Sequence, residues 1–339
     1  MSSSFTRFGV IGAGFWAYPQ TRAWLASGRA KPVAVYDVDP DRAERFADEF
    51  GVAIAPSAEA LIESVDFVDV ISSVESHPAM VSHAVQARKP VICQKPIATS
   101  LAEAEAMVQG ALRAGVPFLI HENWRYQAPI ARIRELIAAG ELGDVFRVRA
   151  EFNCSFPVYD NQPALARAER FILADVGVHV FDAIRAIVGD IASLRAETRR
   201  VNPNILGEDV ASVLMRAESG AVASVELSYA SRLPHEQFPG TAWQIEGTRG
   251  GLTATADGRL SIATAEGVRT ETVDGPMYAW VDPRYAVVQS SLVPCIHALH
   301  AALDGSAGDA HPSAQDNLKT LALVFAAYDS ADWGEVVRP

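Results

Sequence analysis

The chain is poor in cysteine, in positive charge and in unbroken apolar sequence, and each shortage removes a class of protein. Three cysteines among 339 residues, Cys93, Cys154 and Cys295, are too few and too scattered for a disulfide framework or a thiolate metal site. Lys and Arg number 29 against 41 Asp and Glu, giving a net charge of −12 and a pI near 5.1 without any basic run. Nucleic acid and anionic membrane surfaces need clustered cations and are not expected partners. No apolar stretch approaches about 18 residues, the length of a membrane span. The amino end, Met1 to Arg7, lacks the charged and apolar regions of a signal peptide, so a reduced, cytoplasmic location is expected. His297 and His300 near Cys295 resemble metal ligands only superficially. Cys295 and His297 fall on different helix faces with no acid nearby, and no metal is expected.

What is present is apolar sequence, 49% of the chain, enough for two cores, and 339 residues exceed the size at which one core stops growing. From Phe8 to Ile120 short apolar strands (8–11, 32–36, 67–71, 90–93 and 118–120) alternate with amphipathic stretches (40–50, 76–87 and 101–114). Repeated βαβ units of this kind predict a doubly wound parallel sheet over residues 1–122. A helix over 129–139 and the turn Gly140-Glu141-Leu142-Gly143-Asp144 lead into a strand-rich half. Strands are expected at 145–156, 192–201, 210–216, 221–229, 242–246, 252–256 and 260–264, with a helix at 173–188. The prediction is an α+β domain over 123–312 on a large, mainly antiparallel sheet. Helices at 285–303 and 313–331 close the chain, and the segment 313–339 is expected to return to the first domain. A sheet of this kind needs its second face covered, which a second copy would do in a homodimer or homotetramer.

Gly9-Val10-Ile11-Gly12-Ala13-Gly14-Phe15-Trp16-Ala17 ends the first strand and opens the first helix in the form G-x-G-x-x-A. Gly12 allows the tight turn, Gly14 lets the backbone approach a pyrophosphate, and Ala17 keeps the helix close to the sheet. Asp37 closes the second strand 23 residues after Gly14, where an acid accepts from a ribose 2′-OH and repels a 2′-phosphate. NAD is therefore favoured over NADP. Arg42 is the residue that would favour the phosphate, although an exposed helix arginine pairing with a nearby acid is the better account of it.

Lys95, in Val91-Ile92-Cys93-Gln94-Lys95-Pro96, puts a cation at the carboxyl end of a buried strand, the edge that lines the ligand crevice of such a sheet. Taken alone, a lysine closing a strand is more often merely exposed. In Phe171 to Asp182 nearly every residue is apolar except Asp175, His179 and Asp182, spaced i, i+4, i+7. On a helix Asp175 lies one turn from His179 and can orient its imidazole as a general base, and the wet face of an amphipathic helix explains the spacing as well. His121-Glu122-Asn123-Trp124-Arg125 also follows a strand and so is expected to face the crevice, where its aromatic and guanidinium could bracket a nicotinamide or a polyol, and packing with surface pairing explains the segment about as well. Tyr159, Asp160 and Asn161 are loop residues within reach of a substrate, with turn chemistry the simpler account of the last two.

Together these segments resemble the Gfo/Idh/MocA family of sugar dehydrogenases over nearly the whole chain. The carriers are Gly12-Ala13-Gly14-Phe15-Trp16-Ala17, Gln94-Lys95-Pro96 in the place of Glu-Lys-Pro, Asn123-Trp124-Arg125, the Asp175 and His179 pair, and Gly247-Thr248-Arg249-Gly250. Within the family the chain is most similar to the D-apiose dehydrogenase group, through Cys93-Gln94-Lys95-Pro96, His121 to Arg125, Val201-Asn202-Pro203-Asn204 and Gly207-Glu208-Asp209-Val210. Ser72-Ser73-Val74-Glu75-Ser76-His77 departs from the family segment beside the nicotinamide ribose.

The resemblance implies an N-terminal Rossmann domain and NAD-dependent oxidation of a cyclic aldose at the anomeric carbon to a lactone. It implies Lys95, Asp175 and His179 as catalytic residues, and Glu122, Arg125 and Tyr159 as further substrate contacts. For the cofactor it implies Gly12, Gly14, Phe15, Trp16, Asp37, Arg42, Ser73, His77, Gln94, Lys95, Asn123, Trp124 and Arg125. The rivals are an inositol or other polyol dehydrogenase of the same family and a non-catalytic NAD-binding sensor. The absence of Tyr-x-x-x-Lys removes the short-chain dehydrogenase arrangement.

Overall fold

In the computed structural model, which describes residues 6–234, 237–306 and 313–339, the alternation of strand and helix begins at Arg7. Strands β1 (Arg7–Ile11), β2 (Lys31–Tyr36), β3 (Ala53–Ile54), β4 (Phe67–Val70), β5 (Val91–Gln94) and β6 (Phe118–His121) form one parallel sheet in the order β3-β2-β1-β4-β5-β6. Phe8, Val10, Phe67, Val68 and Ile92 are each 0% exposed, as expected of strands covered on both faces. Helices α1 (Ala17–Ser27), α2 (Pro40–Phe50), α3 (Ala58–Ser64), α4 (His77–Gln86) and α5 (Leu101–Ala114) supply the crossovers. Their ends follow local chemistry. Asp39 caps α2 through the N–H groups of Asp41 and Arg42, with Pro40 in the first turn, and Gly51 ends it at φ +64°. Ser100 caps α5 through Glu103 N–H, and Glu103 accepts back from the Ser100 hydroxyl.

The second sheet orders its strands β14-β13-β12-β11-β7-β10-β9-β8. It follows helix α6 (Ala128–Ala138) and consists of β7 (Val145–Asn153), β8 (Ile191–Arg199), β9 (Val210–Ala217), β10 (Val222–Ser228), β11 (Thr241–Gly247), β12 (Gly250–Ala254), β13 (Arg259–Thr264) and β14 (Gly267–Thr272). The β7–β10 pair is parallel and the other pairs are antiparallel. Alternation fixes the register: Val148, Ala150 and Phe152 of β7 are 0% exposed while Arg147 and Arg149 point the other way. Between β7 and β8 a π-helical turn, Leu173–Gly177, runs directly into helix α7 (Val178–Val188). The chain closes with α8 (Ala286–Ser290), α9 (Leu292–Leu303) and α10 (Ala314–Trp333).

Two compact units result. The first takes the described residues up to Glu122 and those from Leu292 to Leu318, the second Asn123–Ser291 and Lys319–Pro339. The expected boundary at 312 lies outside the described residues, as do Met1 to Phe5. Within the first unit α9 packs on α1, and the start of α10, up to Leu318, belongs to the same unit. Most of α10 belongs to the second unit instead, because Thr320, Tyr328 and Ser330 bond residues of that unit. The stretch Pro283–Leu303 is long and apolar enough to cross a membrane by composition alone, but it is 56% buried within the fold and splits into two helices at Ser291.

Candidate active site

The first unit builds a cavity of about 370 Å³ over the carboxyl ends of β1, β2 and β4, the reversal point in strand order where such sheets bind ligands. Gly12 has φ +97°, and a Cβ there would sit 2.6 Å from the Ser72 backbone, so two segments of main chain touch only because the residue is glycine. A Cβ on Gly14 would meet no protein atom within 4 Å. Gly14 is therefore not required by internal packing, and its bare backbone faces the cavity it helps to line. Asp37 Oδ2 accepts from Ala13 N–H at 2.6 Å and Oδ1 from Asp39 N–H at 2.8 Å, which fixes the carboxylate on the cavity rim. Arg42 lines the same rim but pairs with Asp39 at 3.2 Å. Ser73 lies in the lining with Ser72 and Ser76. Phe15 and Trp16 meet edge to face at 5.3 Å just before α1.

These features fit a bound dinucleotide: a cradle that side chains would fill, a helix amino end, and an acid held for a ribose diol. His77, expected at the cofactor, is held by main-chain oxygens on both ring nitrogens. It is 1% exposed, with Nδ1 3.1 Å from Pro96 O and Nε2 3.2 Å from Ser72 O, so it ties the cavity loop to the Lys95-Pro96 segment. Burial lowers its pKa.

Lys95 is half-buried at the exit of β5, followed by a cis bond to Pro96. Its N–H donates to Gln94 Oε1 at 3.1 Å. Gln94 is turned inward and donates to Gln20 Oε1 at 2.7 Å, so its amide is used inside the unit rather than on a cofactor. Glu122, expected at the substrate, is 0% exposed at the end of β6, and its main-chain oxygen accepts from the Cys295 thiol.

In the second unit the start of the Asp175 and His179 segment is held by a carboxylate. Glu208 accepts from the N–H groups of Phe171 and Leu173, satisfying donors that a helix start leaves orphaned. Tyr328 donates to Glu208 at 2.8 Å and accepts from Ala174 N–H, fastening α10 to the same turn. Asp175 sits in the π turn, a distortion frequent at functional sites, and its Oδ2 accepts from Tyr229 OH at 3.3 Å. The expected uninterrupted α-helix is thus wider at its first turn. Tyr159 lies in the turn Val158–Asp160 beside Phe171. Burial and the Asp209 charge push its phenol up to about 12.

His179 stacks face to face on Trp124. Trp124 is 4% exposed and carries the imidazole on its ring face. Arg125 has a buried protein partner. Its Nε and Nη2 reach the two oxygens of Asp182 at 2.6 and 2.5 Å, and Asp182 is 0% exposed. Removing one partner of a bidentate pair buried this deeply costs about 3–5 kcal/mol. Asn123 donates to Ser291 Oγ and Val288 O rather than outward. Asn161 donates to Tyr285 OH, in keeping with a turn role. Sequence reasoning missed Tyr229 and the capping role of Glu208, whose only sequence signal was a short polar pair before a strand.

The cradle over a parallel sheet, joined in one chain to a unit with an acid and a stacked histidine, defines a dinucleotide-dependent oxidoreductase. Residues 6–121 match the family described as "Oxidoreductase family, NAD-binding Rossmann fold", and 130–253 match the "GFO/IDH/MocA C-terminal domain". The chain is 41% identical over 332 residues to D-apiose dehydrogenase of Paraburkholderia graminis, covering 97% of this chain and 88% of that protein. It is 39% identical over 331 residues to D-apiose dehydrogenase of Rhizobium rhizogenes, covering 97% and 96%. A crystal structure of an oxidoreductase from Agrobacterium radiobacter in complex with NAD+, L-tartaric acid and magnesium superposes with TM-score 0.96 at 38% identity over 98% of each chain. The chain belongs to the Gfo/Idh/MocA oxidoreductase family, and it is an NAD-binding enzyme acting on CH–OH groups of sugars or polyols.

Proposed function

We propose that this enzyme oxidises a cyclic aldose of the D-apiose type at the anomeric carbon, giving a lactone. The observation that carries the reading is the likeness to two D-apiose dehydrogenases along 97% of the chain. Bound NAD supplies the hydride acceptor. The protein's part is to handle the proton. His179, steadied by Trp124, takes it from the anomeric hydroxyl, and Asp175, held by Tyr229, stabilises the charged imidazole. Lys95 donates hydrogen bonds to the substrate oxygen as charge develops there. Tyr159, half-exposed in its turn, contacts the sugar.

The test is NADH formation with D-apiose against other pentoses, hexoses and myo-inositol, using wild type, Lys95→Ala and His179→Ala. Fast turnover of D-apiose that collapses in both variants is expected. Turnover of myo-inositol alone would replace the substrate, NAD binding without reduction of any panel member would replace the enzyme by a sensor, and near wild-type turnover in Lys95→Ala would remove that residue from the chemistry.

We also propose a homodimer or homotetramer through the outer face of the second sheet. That face exposes Phe146 (49%) and Leu214 (56%) among charged pairs such as Arg147 and Glu246. Light scattering showing a monomer at micromolar concentration would overturn it.

A further inference from the structure

Asp69 stands on β4 within an otherwise apolar strand and is 0% exposed. Gln20 Nε2 donates to its two oxygens at 2.8 and 2.9 Å, and Trp24 Nε1 donates to Oδ2 at 2.9 Å. Gln20 Oε1 accepts from Gln94 Nε2 at 2.7 Å, and Gln94 Oε1 accepts from Lys95 N–H at 3.1 Å. His121 on β6, opposite Gln94 in register, places Nδ1 3.4 Å from the same Gln94 nitrogen.

These contacts have one polarity. An ionised carboxylate only accepts, so Gln20 must turn its N–H groups to Asp69 and its oxygen to Gln94. Gln94 must then present its own N–H to Gln20, which leaves its oxygen for the Lys95 backbone. The negative charge that a glutamate at position 94 would place beside Lys95 stands instead at Asp69, two amides away. Burial pushes the Asp69 carboxyl up to about 7, so at pH 8 it is mostly ionised and the polarity is set.

We propose that Gln94, Gln20 and Asp69 are positioning residues for Lys95, a buried amide chain whose direction is fixed by the displaced carboxylate and which holds the Lys95 main chain in place. The proposal rests on the role given to Lys95 above, and its test separates the two.

Lys95 is labelled competitively with acetic anhydride at pH 8 and read peptide by peptide by mass spectrometry, with exposed Lys31 as internal reference. NADH formation is measured in parallel. Gln94→Glu sets a second carboxylate against the Gln20 oxygen. It is expected to change the Lys95 labelling rate severalfold relative to Lys31, and to lower kcat by about tenfold or more with little change in KM, since small misplacements near chemistry are costly. Gln94→Glu combined with Asp69→Asn allows the two links of Gln20, to residue 69 and to residue 94, to reverse, because the new amide donates to Gln20 and Gln20 donates to the new carboxylate, while the Trp24 and Lys95 N–H groups go on donating as before. The double variant is expected to recover most of the labelling rate and most of kcat. Effects that merely add, or Lys95 labelling unchanged in folded Gln94→Glu, overturn the proposal. Should Gln94→Glu fail to fold, recovery of folding and wild-type labelling in the double variant supports the chain, and failure of both variants overturns it. Wild-type turnover in Lys95→Ala would defeat the catalytic role of Lys95 while the labelling comparison still decides whether the chain holds it.

Discussion

The imidazole of His179 and the indole of Trp124 lie 4.8 Å apart between ring centroids and 2° from parallel. Trp124 in turn rests on Phe152, which meets Tyr229, the residue that bonds Asp175. The histidine and its acid are therefore supported by one continuous aromatic cluster rather than by neighbours on their own helix alone. Such a stack opposes tilting of the ring about its Cβ–Cγ bond and so keeps both nitrogens in one plane.

Trp124→Leu tests that restriction. Leucine keeps the site apolar but offers no flat face, so the imidazole gains orientations in which its nitrogens miss the substrate hydroxyl. The expected result is a fall in kcat of about ten- to a hundredfold, the scale of general-base catalysis that depends on alignment, with the KM for NAD unchanged. Steady-state kinetics with NAD varied at saturating sugar separates the two constants. Equal losses in affinity for NAD would mean that Trp124 acts on the cofactor after all.

In the proposed NAD site, Asp37 is the residue expected to set the choice of cofactor. Its two oxygens are already fixed by Ala13 and Asp39 N–H groups, so the carboxylate cannot swing away from a 2′-phosphate. Asp37→Ser is expected to lower kcat/KM for NAD and raise it for NADP, moving the ratio by about a hundredfold through loss of repulsion and of the ribose hydrogen bonds. Arg42, on the same rim and paired with Asp39, is the cation placed to meet the phosphate. Comparing kcat/KM for the two cofactors in wild type, Asp37→Ser and Asp37→Ser with Arg42→Ala checks both residues, the second variant losing the gain in NADP use.

The first unit was readable because its signals are local. The boundaries of α2 and α5 follow from a cap, a periodic run and a closing glycine, all within one stretch of chain. The strands that escaped notice had little to bury: β3 is two exposed residues, and β14 is exposed along nearly all its length. In the second unit the parallel pairing of β7 with β10 depends on a crossover that no local pattern specifies. The site follows the same division. Gly12, Asp37 and Lys95 were legible from their places at strand ends. Glu208 and Tyr229 reach the Asp175 segment from 37 and 54 residues away, and distance in sequence hides a hydrogen bond completely. Arg125, Asn123 and Trp124 were visible as polar or aromatic residues after a strand, yet their partners turn them inward. The spacing of Asp175, His179 and Asp182 was legible, but the π turn and the guanidinium that claims Asp182 were not.

Asp69 makes the stability of the protein depend on pH in a direction opposite to that of an ordinary paired carboxylate. Burial is the dominant influence and pushes its pKa up to about 7, against the hydrogen bonds from Gln20 and Trp24, which lower it. The buried Cys93 thiol lies near enough on the adjacent strand for its own pKa to be raised by Asp69 as well as by burial. In the unfolded chain an aspartate titrates near about 3.9. Between that value and about 7 the folded state binds more protons than the unfolded one, so stability is present at low pH and is lost as pH rises through the window. The size of the effect between pH 5 and pH 8 is about 2–3 kcal/mol for a group shifted this far. Asp69→Asn cannot titrate, so its urea unfolding curve should lack this component, leaving the variant less favoured relative to wild type at pH 5 than at pH 8. Unfolding free energies of both proteins at the two pH values give the double difference directly. A double difference near zero would mean that Asp69 stays ionised throughout, with Gln20 and Trp24 outweighing the burial that surrounds it.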